Sequence, residues 1–175
     1  IWKASGDMKN LTAAAGTTSA HLLTKVQPVT PMINNMDHPD HTRLRGSFRK
    51  PFAAPEVAKL EPMIRKIARE KLAEAKDRGG LDVIQEMTAH VAVTVACTIS
   101  GLPPEDGPYL NELVTRFFKR EEGHDGATEA GMAAMGEMFE YFKKQVHQRR
   151  ADGPKEDVLQ TLLEFEQDGE KLDDD

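Results

Sequence analysis

A histidine and an arginine stand four residues apart in the stretch HTRLR, at His41 and Arg45, two residues after Pro39. Pro39 suits the first position of a helix and Asp40 suits its positive end, so the sequence predicts a helix opening there. On that helix His41 and Arg45 share a face one turn apart, with donors about 6 Å from each other. That separation fits a pair of carboxylates or one bulky anion. The guanidinium stays charged and forks onto carboxylates, and the imidazole adds a directional N–H. Each charge-assisted bond is worth roughly 1.5–3 kcal/mol when shielded from water. A solvated basic helix face has the same spacing and is worth little. Metal binding by Asp37, His38, Asp40 and His41 is a third reading. Only Asp37 with Asp40, or His38 with His41, would share a face, and a third separated ligand is lacking.

The surroundings sharpen the question. The chain has a net charge of −6, from 23 Lys plus Arg against 29 Asp plus Glu, yet Arg43, Arg45, Arg49 and Lys50 fall within eight residues. The overall balance argues against a nucleic-acid binder, so the local cluster points to a specific anionic partner. A length of 175 residues suits one domain or a large piece of one. The single cysteine, Cys97, excludes an internal disulfide and a multi-cysteine zinc site, and a cytoplasmic location is expected. The nearest thing to an apolar span, residues 87 to 104, is diluted by Thr, Ser, Gly and Pro, so no membrane crossing is expected. No signal peptide is legible. The chain opens on Ile1 and stops at Leu172-Asp173-Asp174-Asp175, which has the look of a helix start, so it reads as an excerpt from a longer protein.

These residues are held by a chain that reads as helical after a long loop. Residues 1 to 36 are irregular, broken by Gly6, Gly16, Pro28 and Pro31; a loop of that length often walls a binding site. Val57, Leu60, Ile64, Ile67 and Leu72 keep a helical period up to the stop at Gly79-Gly80. Residues 82 to 100 alternate like a strand, but Val83, Met87, Val91 and Val95 are spaced by four and the run is too long for a strand. A buried central helix is expected. After Gly101-Leu102-Pro103-Pro104 a helix follows over 105–120, then a polar loop at 121–126. A long helix next carries the stripe Met132, Met135, Phe139, Phe142 and Val146 and ends near Arg149-Arg150. A short helix spans Glu156 to Phe165, and residues 167–170 form a tight turn between two extended pieces.

Three landmarks in order carry a family resemblance. MDHPDHTRLRGSFRKPFAAPEVAKLEP resembles the C-helix region of bacterial cytochrome P450 monooxygenases. ISGLPPEDGPYLNELV is similar to the family's helix ending in G-[LI]-P-x-E-D. RRADGPKEDVLQTLLEFEQDGEKLDDD resembles its R-R-x(n)-D-D segment, followed by D-G-x-x-L and the start of the oxygen-binding I helix. His38 stands where the family often has proline, at a variable position. The resemblance implies a mainly α chain, part of the cytochrome P450 fold: a B–C loop region over 1–38, then helices C to H over 39–175, cut before the I helix. It implies a heme-dependent monooxygenase that uses O2 and an apolar small molecule, sterol- or lipid-like or terpenoid. His41 and Arg45 would bind the propionates of heme b. Arg43, Arg49 and Lys50 would face a ferredoxin or flavodoxin electron donor. Met32, Ile33, Met36, Phe117 and Phe118 would line the substrate pocket, with residues 20–36 draped over it.

The family's iron ligand is a cysteine in a Phe- and Gly-containing loop, and Cys97, in HVAVTVACTISG, has no such setting. It reads as a small core residue. No E-x-x-R occurs, and AAAGTTSA at 13–20 lacks the acid of the oxygen-activating motif and lies ahead of the C-helix region. The catalytic cysteine and the I-helix threonine are therefore expected beyond Asp175, and these residues alone are expected to be inactive. The alternative from the residues alone is a non-catalytic all-α binding or regulatory module.

Overall fold

A computed structural model describes residues 11–14, 32–121, 128–167 and 170–171. Expectations for residues 20–31, for most of the 121–126 loop and for the terminal aspartates lie outside these. The chain divides into two compact units, Ile1–Arg49 and Lys50–Asp175.

In the first unit a 3-10 turn at Ile33–Asn35 precedes helix α1, Asp40–Ser47. Pro39 takes the cap position and Asp40 the first turn, as proline's fixed φ and the helix dipole favour.

The second unit begins with a short helix α2, Ala54–Ala58, and α3, Glu61–Arg78. Gly79 ends α3 in the left-handed conformation at φ 86°, a backbone state glycine adopts without a Cβ clash. Asp82 then caps a π-helical turn, Val83–Thr88, by accepting from the backbone N–H groups of Ile84 and Gln85. That turn runs into α4, Ala89–Ser100. After a 3-10 turn at Pro104–Asp106 come α5, Gly107–Phe118, and α6, Glu129–Asp152. Helix α7, Val158–Glu164, leads to the strand pair β1, Glu166–Gln167, and β2, Glu170–Lys171. The strands are antiparallel, Glu166 opposite Lys171 and Gln167 opposite Glu170. The mainly α expectation holds, with this strand pair as the only sheet among the described residues.

The core of the second unit is formed by Cys97 of α4, Leu110 and Leu113 of α5 and Ala134 of α6, with Val93, Leu102, Phe117, Met138 and Tyr141 packed on it. Two differences from the sequence reading stand out. The 82–100 segment is not buried all round: among the described residues only Thr94 and Cys97 are, while Val83 and Ile84 are exposed. Val83–Ser100 has the length and composition to cross a membrane. Its π-wound first third and its core contacts give it the role of a packing helix here. The second difference concerns α6. Its buried face is Gly131, Ala134 and Arg149, whereas Met132, Phe139 and Phe142 are exposed. Small residues set that face because α5 comes close: a Cβ on Gly131 would stand 3.2 Å from the Phe117 carbonyl oxygen.

The ends of α4, α6 and α7 meet at a buried ion pair. Arg149 donates through Nη1 to Asp157 Oδ1 at 2.6 Å and through Nη2 to Oδ2 at 2.8 Å. The same Nη2 reaches the Gly101 carbonyl oxygen at 3.1 Å, so one guanidinium also satisfies a free acceptor at the end of α4. Asp157 Oδ1 caps α7 by accepting from the Gln160 N–H at 2.9 Å. Gly101 has φ 77°, and a Cβ there would lie 2.1 Å from Asp157 Oδ2. Gly101→Ala is expected to lower stability by about 1–3 kcal/mol from backbone strain alone, with displacement of the pair adding to it; thermal unfolding measures the loss.

Candidate functional site

Helix α1 carries the candidate donors. His41 is half-buried and Arg45 exposed, and they lie one turn apart on an eight-residue helix. The Arg45 side chain makes no hydrogen bond or ion pair with any described residue, so its whole fork of donors is open to a ligand.

The turn ahead of α1 is tied down. Asp37 Oδ1 accepts from the Ala13 N–H at 2.8 Å, and Oδ2 accepts from the Thr12 hydroxyl. The Asp37 carbonyl accepts from the His41 N–H at 2.9 Å. Hydrogen bonds from Thr12 and Ala13, with the His41 charge as a smaller cause, hold the Asp37 carboxyl below the usual carboxylate range. The tether is therefore complete at neutral pH. It is lost only as pH falls through that lowered value.

The metal reading finds other uses for its residues. Asp37 accepts from Thr12 and Ala13, and His38 Nδ1 lies 3.1 Å from Thr42 Oγ1. Among the described residues no three His, Cys, Asp or Glu side chains converge.

Arg43 and Arg49 are exposed in the first unit; Lys50, in the second, pairs with Glu156 at 3.2 Å with both side chains in water. Such a pair contributes little to stability and leaves Lys50 available to a partner. Met32 is exposed, and Ile33 and Met36 are half-buried in the first unit. In the second unit Phe117 packs on the core and meets Phe118 edge to face, the ring centroids 4.9 Å apart. Phe118 itself is exposed. Cys97 is fully buried; desolvation, then the nearby Asp106 charge, pushes its thiol up, away from the thiolate form that binds metal. The sequence reading missed the Asp37 tether and the Arg149–Asp157 pair. Asp37 ahead of a helix and the repeated arginines before an acidic cap were visible, but their partners were not.

No family model matches the chain. Over 144 residues, 82% of this chain and 34% of the relative, it is 31% identical to the vitamin D(3) 25-hydroxylase of Pseudonocardia autotrophica. Over 168 residues, 93% of this chain and 41% of the relative, it is 29% identical to the erythromycin C-12 hydroxylase of Saccharopolyspora erythraea. The solved structure of the bacillaene polyketide synthase cytochrome P450 PksS of Bacillus subtilis superposes with a TM-score of 0.72 at 23% identity, covering 98% of this chain and 43% of that one. Sequence and fold agree along nearly the whole chain. The chain belongs to the cytochrome P450 family.

As a cytochrome P450 chain it spans about a third to two fifths of the length of the curated relatives it matches. Its fold is the helical cytochrome P450 fold over that part. The family's cofactor is heme, which carries two carboxylates on one edge. The donor set fits such a group: a charged fork without a protein partner among the described residues and an imidazole one turn away, on a helix whose entrance is fixed.

Proposed function

We propose that this chain is the propionate-binding and substrate-roof part of a heme-dependent monooxygenase. The observation that carries the reading is the pair His41 and Arg45 on α1, with Arg45 left without a protein partner among the described residues of a cytochrome P450 chain. Arg45 would fork onto one propionate and His41 would donate to the other, fixing the cofactor's edge and balancing its negative charge. The bound heme supplies the chemistry that inserts one atom of O2 into substrate.

The cofactor is heme b, and its cysteine ligand and the I-helix threonine lie outside these 175 residues. The buried, protonated Cys97 supports this, and the chain by itself would be inactive. The substrate is an apolar small molecule of sterol-like, lipid-like or terpenoid class; Met32, Ile33 and Met36 of the first unit are candidates to meet it, as are Phe117 and Phe118 of the second, and adaptable apolar side chains suit such contacts. Electrons come from a ferredoxin or flavodoxin whose acidic face meets Arg43, Arg49 and Lys50. The protein acts in the cytoplasm.

The test is the spectrum of the full-length heme-loaded protein, reduced under carbon monoxide. A red-shifted Soret band of the thiolate type is expected. An imidazole-type band, or no heme uptake, overturns the reading in favour of a non-catalytic all-α module.

A further inference from the structure

Asp37 lies outside the donor pair, yet it joins the helix that carries the pair to chain far ahead of it. Its side chain reaches back 24 and 25 residues, to the Ala13 N–H at 2.8 Å and to the Thr12 hydroxyl. The Thr12 hydroxyl oxygen in turn accepts from the Ala14 N–H at 3.1 Å, so the segment is gripped at successive groups. Through its own carbonyl Asp37 takes the His41 N–H at 2.9 Å. One residue thus contacts the earlier segment with its carboxylate and His41 with its backbone.

A carboxylate beside a site for anions is repulsive, so Asp37 is not there to attract the ligand. Both its oxygens are instead engaged by donors of the Thr12–Ala13 segment. We infer that Asp37 is a positioning residue for the anion site on α1. It fixes Thr12–Ala14 against the helix entrance and, through the first-turn hydrogen bond, sets the backbone of His41, and with it the placement of the imidazole. This rests on the reading of His41 and Arg45 as propionate donors.

The experiment follows heme transfer from the full-length heme-loaded protein to excess apomyoglobin, for Asp37→Ala, Asp37→Asn, Thr12→Val, His41→Ala and Asp37→Ala/His41→Ala. Asp37→Ala is expected to speed heme loss about fivefold, the equivalent of roughly one net hydrogen bond. Thr12→Val should speed it in the same direction, and it keeps the test alive if Asp37→Ala folds poorly. Asp37→Asn retains an acceptor for the Ala13 N–H and should recover most of the loss. In the His41→Ala background, Asp37→Ala should add less than about twofold, since its effect runs through the imidazole. An equal effect in both backgrounds marks a general structural role and overturns the inference, as does slower heme loss in Asp37→Asn and Asp37→Ala, which is the outcome of simple repulsion. If His41→Ala itself leaves heme loss unchanged, the propionate reading fails first. If His41→Ala matters and both Asp37→Ala and Thr12→Val do not, only the positioning role fails.

Discussion

Arg149→Ala is expected to destabilise the full-length protein by about 3–5 kcal/mol, the range for breaking a buried ion pair by removing one partner. The side chain is only 3% exposed and its partner Asp157 11%, so little water replaces the lost guanidinium. Three groups lose their bonds together: both Asp157 oxygens and the Gly101 carbonyl. Calorimetry or circular dichroism reads the loss. Replacing both partners with apolar residues of similar volume should recover much of the loss, because no buried charge is left alone. Recovery stays incomplete: Asp157 also caps α7 at the Gln160 N–H, and a lost cap costs about 1 kcal/mol. By contrast, removing the exposed pair Lys50–Glu156 should change stability by under about 1 kcal/mol.

The second large effect concerns heme retention. His41→Ala and Arg45→Ala should each speed heme dissociation at least about tenfold, since each removes a charge-assisted bond worth roughly 1.5–3 kcal/mol. Arg45→Lys keeps the charge but loses the planar fork, so it should fall between the native protein and Arg45→Ala. The double alanine variant should approach the product of the single effects if the two donors hold separate carboxylates. Apomyoglobin capture of released heme provides the measurement. Changes under twofold in both single variants would return α1 to a solvated basic face.

Local signals made much of the fold legible. Pro39 and Asp40 marked the start of α1, Gly79 and Gly101 marked the ends of α3 and α4, and the Gly-Leu-Pro-Pro break separated α4 from α5. Each is a backbone constraint that acts within a few residues. What stayed hidden depends on partners distant in sequence. On α6, periodicity picked out the large side chains Met132, Phe139 and Phe142, while packing selected Gly131 and Ala134 because α5 approaches too closely for bulk. Pattern counting favours size, and close approach favours its absence. The π-winding of Val83–Thr88 escaped for a similar reason. It is set by the Asp82 cap and by the Thr88 hydroxyl donating back to the Val83 and Ile84 carbonyls, competition that apolar spacing does not record.

The candidate site divides in the same way. His41 and Arg45 were readable because both lie on one short helix, where spacing fixes their shared face. The tether from Asp37 to Thr12 and Ala13 was not, because 24 and 25 residues intervene and nothing local pairs them. Arg149 sat within a recognisable R-R segment, but its burial depends on Gly101, 48 residues earlier.

A crystal structure of the full-length protein with heme bound examines the central claim most directly. His41 and Arg45 should each lie within hydrogen-bonding reach of a propionate oxygen. Propionates held by other side chains, with the His41 and Arg45 side chains turned out into water, would contradict it.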